Sequence, residues 1–296
     1  MKLAAIDIGS NAARLLITEV RETTGDPVFQ KLNLVRIPLR LGFDVFEFQK
    51  ISYAREEMLV NTIKAFKLLM DVHQVDFMVA CATSAMRDAA NGIEIIERVR
   101  NQTGINIKII SGDAEAGFIY ENKTAEKAIP ARSFLYIDVG GGSTEISLYE
   151  NGNLIYKSSH NIGTIRLLKN QVTDAQWEHM KEEVKEFSKN KNGKMVAIGS
   201  GGNINKVFSL SKRKEDKPLY LETLKNYYKE LSNVSVEERM SLYKLKEDRA
   251  DVIVPALLIY INVLKWADIE EIYVPKIGLA DGLIRNLYKE LTDKPS

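Results

Sequence analysis

Asp7 and Asp138 each lie in an Ile-Asp-x-Gly stretch, "IDIGSNAARLLI" and "IDVGGGSTEISL", that opens onto small polar residues and then an apolar run. Aligned at a constant offset, Gly9 falls on Gly140 and Ala12-Ala13 on Ser143-Thr144. Each copy follows an apolar segment, "KLAA" or "SFLY". A recurrence with matching flanks points to internal duplication. Glycine allows backbone N–H groups to approach phosphate oxygens with no Cβ in the way. Gly140, Gly141 and Gly142 therefore form a candidate phosphate loop, to which Ser143 and Thr144 add hydroxyl donors. Asp7 and Asp138 would repel phosphate directly, so their natural role is to hold Mg²⁺, usually through water. The bland alternative is two tight hairpins with no ligand; the pairing and the "GGGS" run favour phosphate.

Further segments could join such a site. "IGSGGN" places Gly201 and Gly202 after an apolar strand and before a helix. Ile204 stands where a dinucleotide fingerprint needs its third glycine, yet a glycine-rich helix start can still bind a phosphate. "CATSAMRDAANG" sets Arg87 between a strand end and a helix, suited either to a bidentate phosphate contact or to a surface pair with Asp88. "ISGDAEAGFIY" puts Glu115 in a first helical turn, where a carboxylate ordinarily just offsets the helix dipole. No Walker A sequence is present, which excludes P-loop nucleotidases.

These residues need a scaffold, and the periodicity supplies one. "KLAAIDIG" and "ARLLITEV" read as the arms of a hairpin, and "PVFQKLNLVRIPLRLG" as a third strand. A helix follows from Ser52, then a strand "DFMVACAT", a helix "IEIIERVRNQ" closed by Gly104, a strand "NIKIIS" and a helix from about Asp113. The second copy repeats the plan: three strands, the helix "TDAQWEHMKEEVKEF", the strand "KMVAIGS", several helices, a last strand "EEIYVPKIG" and a last helix "ADGLIRNLYKEL". The expected class is α/β with mixed sheets, in domains 1–124 and 125–296 joined near "NKTAEKAIPARS".

Composition sets outer limits. With 296 residues, 45% hydrophobic and 27% charged, the chain has a globular profile. Its net charge of +1 argues against duplex DNA as the main partner, and no apolar stretch has the length of a membrane span. Asp7 and Arg14 break the N-terminal apolar region where a signal peptide needs continuity, so a cytoplasmic location is expected. Cys81 is the only cysteine and the three histidines are scattered, which leaves no zinc or disulfide pattern.

In order, "AIDIGSNAARLLI", "ATSAMRDAAN", "ISGDAEAGFIY", "IDVGGGSTEI", "NIGTIRL", "AIGSGGN" and "EDRADVIVPALLI…GLADGLI" resemble the exopolyphosphatase/pppGpp phosphatase (Ppx/GppA) family of the actin–Hsp70–sugar kinase superfamily. The resemblance runs across almost the whole chain. It implies two ribonuclease-H-like (actin-like ATPase) domains flanking a central cleft, with the last helix free to pack back on the first domain. It further implies Mg²⁺-assisted (or Mn²⁺-assisted) release of terminal phosphate from inorganic polyphosphate, with guanosine pentaphosphate as the alternative substrate, and is compatible with a homodimer. Carried over by motif, Glu115 becomes the general base on the attacking water. Asp7, Asp138 and Glu145 become the acidic metal-side group, Glu145 counting also as catalytic. Asn11 and Arg87 become phosphate contacts beside the loop at Gly140, Gly141, Gly142 and Ser143.

The pattern also has departures. Ala12 stands where a hydroxyl is usual, Asn203 replaces a usual Thr, Ala256 a common Gly, and Ala114 a common acid. These bear on substrate choice more than on reaction type. The sequence ends where longer relatives continue into a helical HD-type domain, so short polymers and release of intermediate lengths are expected. Two competing readings are a kinase using "IGSGGN" for adenosine, and a catalytically weak polyphosphate or nucleotide sensor.

Overall fold

The computed structural model describes residues 1–120, 131, 133–189 and 194–293. The expected boundary at 124/125 lies outside the described residues. The chain divides into two compact units, Met1–Asn122 with Gly278–Ser296, and Lys123–Ile277.

The first unit opens with β1 (Lys2–Ile8), β2 (Ala12–Arg21) and β3 (Val28–Pro38), followed by α1 (Leu41–Phe48) and α2 (Tyr53–His73). Then come β4 (Phe77–Ala82), α3 (Ser84–Asp88), α4 (Gly92–Thr103), β5 (Lys108–Ile109) and α5 (Gly112–Tyr120). The sheet order is β3-β2-β1-β4-β5, with β1 antiparallel to β2 and parallel to β4. The expected third strand stops at Pro38, and the residues after it turn into α1, a helix that the sequence reading missed.

The second unit repeats the plan with β6 (Ser133–Val139), β7 (Thr144–Glu150), β8 (Asn153–His160), α6 (Thr164–Leu168), α7 (Asp174–Lys189) and β9 (Met195–Ser200). It continues through α8 (Gly202–Ser211), β10 (Leu219–Tyr220), α9 (Leu221–Ser232), α10 (Val236–Tyr243), α11 (Glu247–Ala250), α12 (Ile253–Trp266) and β11 (Glu271–Tyr273). Its sheet order, β10-β11-β9-β6-β7-β8, places β6 between an antiparallel β7 and a parallel β9, as β1 lies between β2 and β4. The sequence repeat is thus a repeat of topology.

Each sheet is covered by helices whose apolar residues recur at helical spacing. In the first unit α13 (Leu279–Thr292) lays Leu279, Leu283 and Ile284 against Leu3, Ala5 and Leu16. In the second, α12 is the central core helix, burying Ile253, Leu257, Tyr260 and Leu264 among β-sheet residues such as Leu135 and Ile137. Pro255 is tolerated because it lies in the first turn of α12, where backbone N–H groups have no intrahelical acceptor. Among the described residues no helix is long and apolar enough to cross a membrane.

Candidate functional site

In both units the glycine turn closes in the same way. Gly9 N–H donates to Ala12 C=O at 3.0 Å, and Gly140 N–H to Ser143 C=O at 2.9 Å. Strand register then decides what faces each aspartate. Asp7 pairs with Arg14, and Asp138 pairs with Glu145. Directly opposed residues point to the same side of a sheet, so the two turns share a shape and differ in charge. In the first, Arg14 Nη1 donates to Asp7 Oδ2 at 2.8 Å and offsets a carboxylate that is almost fully buried. In the second, carboxylate meets carboxylate, and an oxygen of Asp138 lies within 4.8 Å of one of Glu145. Neither Arg14 nor this opposition was recognised from the sequence.

The first unit gathers Asp7, Ser10, Asn11, Arg87 and Glu115 at the ends of β1, β4 and β5. Asn11 C=O accepts from the N–H groups of Leu39 and Arg40, which ties the turn to the start of α1. The Ser10 and Ser84 hydroxyls hydrogen-bond at 2.8 Å and link the turn to α3. Arg87 donates to Ile110 C=O at 2.9 Å, while its Nε is 3.8 Å from Asp88. That anchor engages part of the guanidinium, whose fork carries further N–H donors. Glu115 is 9% exposed in the first turn of α5, where Ser111 Oγ accepts from Ala114 N–H at 3.2 Å. Ala114 therefore occupies the slot in which an acidic residue would complete a capping box, so this departure concerns the helix start. Burial pushes the Cys81 thiol well up, and the charges of Asp7 and Glu115 push it further. Both carboxylates thus act on one buried thiol, which β4 places beside Asp7.

In the second unit the carbonyls of the glycine loop all turn toward α6. Gly140 C=O accepts from Thr164 N–H at 3.0 Å, Gly141 C=O from Ile165 N–H at 2.8 Å, and Gly142 C=O from Arg166 Nε at 2.8 Å. Among the described residues no peptide bond is cis. In a planar trans peptide the N–H points opposite to the preceding C=O. The N–H groups of Gly141, Gly142 and Ser143 therefore point away from α6, and successive N–H groups arranged this way form an anion-binding concavity. Thr144 does not join them. Its hydroxyl donates to Ile162 C=O at 2.5 Å and the residue is fully buried, so the expected hydroxyl donor is tied to backbone. Gly163 makes the close packing of loop on α6 feasible, since a Cβ there would stand 2.5 Å from the backbone of Gly141 and Gly142. Gly163→Ala is expected to displace the loop and lower kcat/KM by about 10²-fold, because a misplacement of about 1 Å can cost that much. Wild-type kcat/KM in the variant would remove the loop from the site.

Hydroxyls orient both carboxylates. Ser200 Oγ donates to Asp138 Oδ1 at 2.6 Å, and Ser159 Oγ to Glu145 Oε1 at 2.9 Å. Beneath them the Tyr260 hydroxyl, on α12, donates to Ser200 C=O. Burial, then the charges of Asp138 and Glu145, hold that phenol well above its usual pKa, so it remains a donor. Gly201 runs at φ 108°, a left-handed conformation that carries the chain past Asp138 into α8. A Cβ at this position would stand 3.3 Å from Asp138 Oδ1. Asn203, the residue in place of a usual Thr, accepts from Arg249 Nη1 at 3.2 Å. Sequence reading missed Ser159, Ser200, Arg249 and Tyr260, because isolated serines, arginines and tyrosines carry no local signal of a partner dozens of residues away.

His160 lies beside this loop, register-paired with Thr144, and its Nε2 is 2.8 Å from Ser158 Oγ. Burial lowers its pKa, the nearby Glu183 opposes that shift and His179 adds to it. The folded chain thus prefers neutral imidazole, and below about pH 6.5 the unfolded chain binds more protons. Stability from this group is complete above about pH 6.5 and is lost as pH falls through the folded value. Urea midpoints should drop between pH 7 and 5 in wild type and drop less in His160→Gln; equal slopes would clear His160 of this role.

Comparison with known proteins bears on these features. A model of the Ppx/GppA phosphatase family matches residues 17–291. The phosphatase-bearing "Bifunctional 3-dehydroquinate synthase/phosphatase" of Fusobacterium nucleatum is 29% identical over 297 residues, covering 89% of this chain and 43% of that protein. "Exopolyphosphatase 1" of Mycobacterium bovis is 30% identical over 147 residues, covering 50% of this chain and 42% of its own. The chain thus spans less than half the length of these curated relatives. A crystal structure of the Aquifex aeolicus member of the Ppx/GppA family matches with a TM-score of 0.78 and 25% identity, over 100% of this chain and 99% of that one.

Proposed function

Because the chain belongs to the Ppx/GppA phosphatase family, we propose that it is a phosphohydrolase that removes the terminal phosphate of inorganic polyphosphate. The observation that carries this reading is the loop at Gly140–Gly142, whose carbonyls are bound behind by α6, so that its N–H groups point away from α6 as an anion-binding loop requires.

Roles follow residue by residue. The N–H groups of Gly141, Gly142 and Ser143 cradle a phosphoryl group, while Arg87 and Asn11 supply further donors to phosphate oxygens. Glu115 takes a proton from the attacking water. The water oxygen bonds to the terminal phosphorus, the bridging P–O bond breaks, and its electron pair leaves with the shortened polymer. Gly201 and Gly202, opening α8, offer a second anion-binding helix start. Asp138 and Glu145 fit a hard divalent cation: both are oxygen donors, they face the same side of the sheet, and each is oriented by a serine hydroxyl. Mg²⁺ or Mn²⁺ held there supplies charge neutralisation to phosphate oxygens. Asp7, already paired with Arg14, is assigned to support of the first turn rather than to direct ligation.

The test is phosphate release measured side by side on short polyphosphate, long polyphosphate, guanosine pentaphosphate and ATP, with and without Mg²⁺. Polyphosphate should be hydrolysed fastest, and only with the cation. Release from guanosine pentaphosphate alone would transfer the reading to that substrate. Phosphate transfer from ATP to a small metabolite would indicate a kinase, and anion binding without turnover a sensor.

A further inference from the structure

The second unit contains a cavity of about 440 Å³ at the end of its sheet remote from the glycine loop. Ser133 opens β6 and Glu150 closes β7, and they are register partners, so both side chains project to one face. Asp138 and Glu145 lie five residues along the same strands, about 17 Å away at 3.3 Å per residue. α7 crosses this face and contributes Glu183, Glu186 and Phe187 at helical spacing; Tyr156 of β8 completes the wall. The rings of Tyr156 and Phe187 lie 4.5 Å apart, and the Tyr156 hydroxyl donates to Glu183.

Two features of this cavity favour a ligand. Ser133 is 2% exposed, yet among the described residues its hydroxyl has no hydrogen-bond partner, an uncommon condition for a buried polar group. Three carboxylates line the same space, and among the described residues no lysine, arginine or histidine lines it; His179 Nε2 and His160 Nε2 reach Glu183 from behind at 3.2 and 3.5 Å, which leaves Glu150 and Glu186 to a ligand. The carboxylates accept hydrogen bonds only, so the complement is a cationic donor. The volume and the aromatic wall suit a small organic molecule better than a bare metal ion, and aromatic faces attract ammonium groups. We propose that this cavity binds a small primary ammonium with an apolar or aromatic body, the ammonium donating to Ser133 Oγ and to Glu150 and Glu186. This site shares no residue with the phosphate-binding and acidic groups assigned above, so it stands or falls apart from them.

Phenethylammonium is a suitable probe, with 2-phenylethanol as its uncharged counterpart and 3-phenylpropionate as its anionic one. Calorimetry on the full chain should show saturable binding of the ammonium alone. Glu150→Gln/Glu186→Gln should weaken it by at least about tenfold, and Ser133→Ala by about threefold. Ser133→Ala removes a hydroxyl that has no partner among the described residues, so its melting temperature should equal or exceed wild type, and its phosphate release should be unchanged. Absence of saturable binding at millimolar probe, equal binding of 2-phenylethanol, or indifference to the paired glutamine substitutions would each overturn the proposal.

Discussion

Glu115→Gln is expected to lower kcat by about 10²–10⁴-fold, the usual contribution of a positioned general base. Glutamine matches glutamate in size and hydrogen-bonding reach but cannot accept the proton. The fold should tolerate the change, because the backbone N–H of Glu115 is bound to Ser111 C=O whatever the side chain. Loss of a negative charge in the first turn of α5 should cost no more than about 1 kcal/mol. Substrate affinity should hold or rise, since one negative charge facing a polyanion has gone. Steady-state kinetics with a thermal melt separate these terms. A variant with most of its turnover would end the assignment and make Glu145 the next carboxylate to test; a large fall in melting temperature would mark Glu115 as structural.

Asp138→Asn is expected to reduce activity at least about a hundredfold, roughly 3 kcal/mol of transition-state stabilisation, and chelation of wild type should do the same. The physical basis is the opposition of Asp138 to Glu145 across β6 and β7. Two charges within 4.8 Å repel by at least about 3.5 kcal/mol at an effective dielectric near 20, and a divalent cation converts that repulsion into attraction. Mg²⁺ should therefore raise the melting temperature of wild type, as any ligand of the folded state does, and raise that of Asp138→Asn much less. Asparagine retains an oxygen for the Ser200 hydroxyl, so the variant should fold normally without metal. Full activity in excess EDTA, or equal Mg²⁺ stabilisation of both proteins, would rule out a cation at this pair.

Much of the architecture was legible because it is written locally. Short apolar runs before and after Asp7-x-Gly9 and Asp138-x-Gly140, each broken by a glycine turn, make hairpins whatever surrounds them. The apolar spacing of "VIVPALLIYINVLKW" makes α12, a buried helix, despite Pro255. Helix α1 was not legible, because eight residues following a strand, with Arg40 at φ 53° before them, carry too little periodicity.

The sequence by itself determined the duplication, the glycine loops and the carboxylates, since each is a matter of residue type within a dozen positions. Only tertiary structure decided their chemistry. Register put Arg14 against Asp7 but Glu145 against Asp138, giving two like-shaped turns unlike charges. Packing on α6 turned the Gly140–Gly142 carbonyls inward and drew the Thr144 hydroxyl to Ile162. Parallel pairing of β6 with β9 brought Ser200 to Asp138, with the Tyr260 hydroxyl of α12 beneath it. Hydrogen bonds and charge pairs act over a few ångströms in space, and when partners are dozens of residues apart only the fold sets that distance.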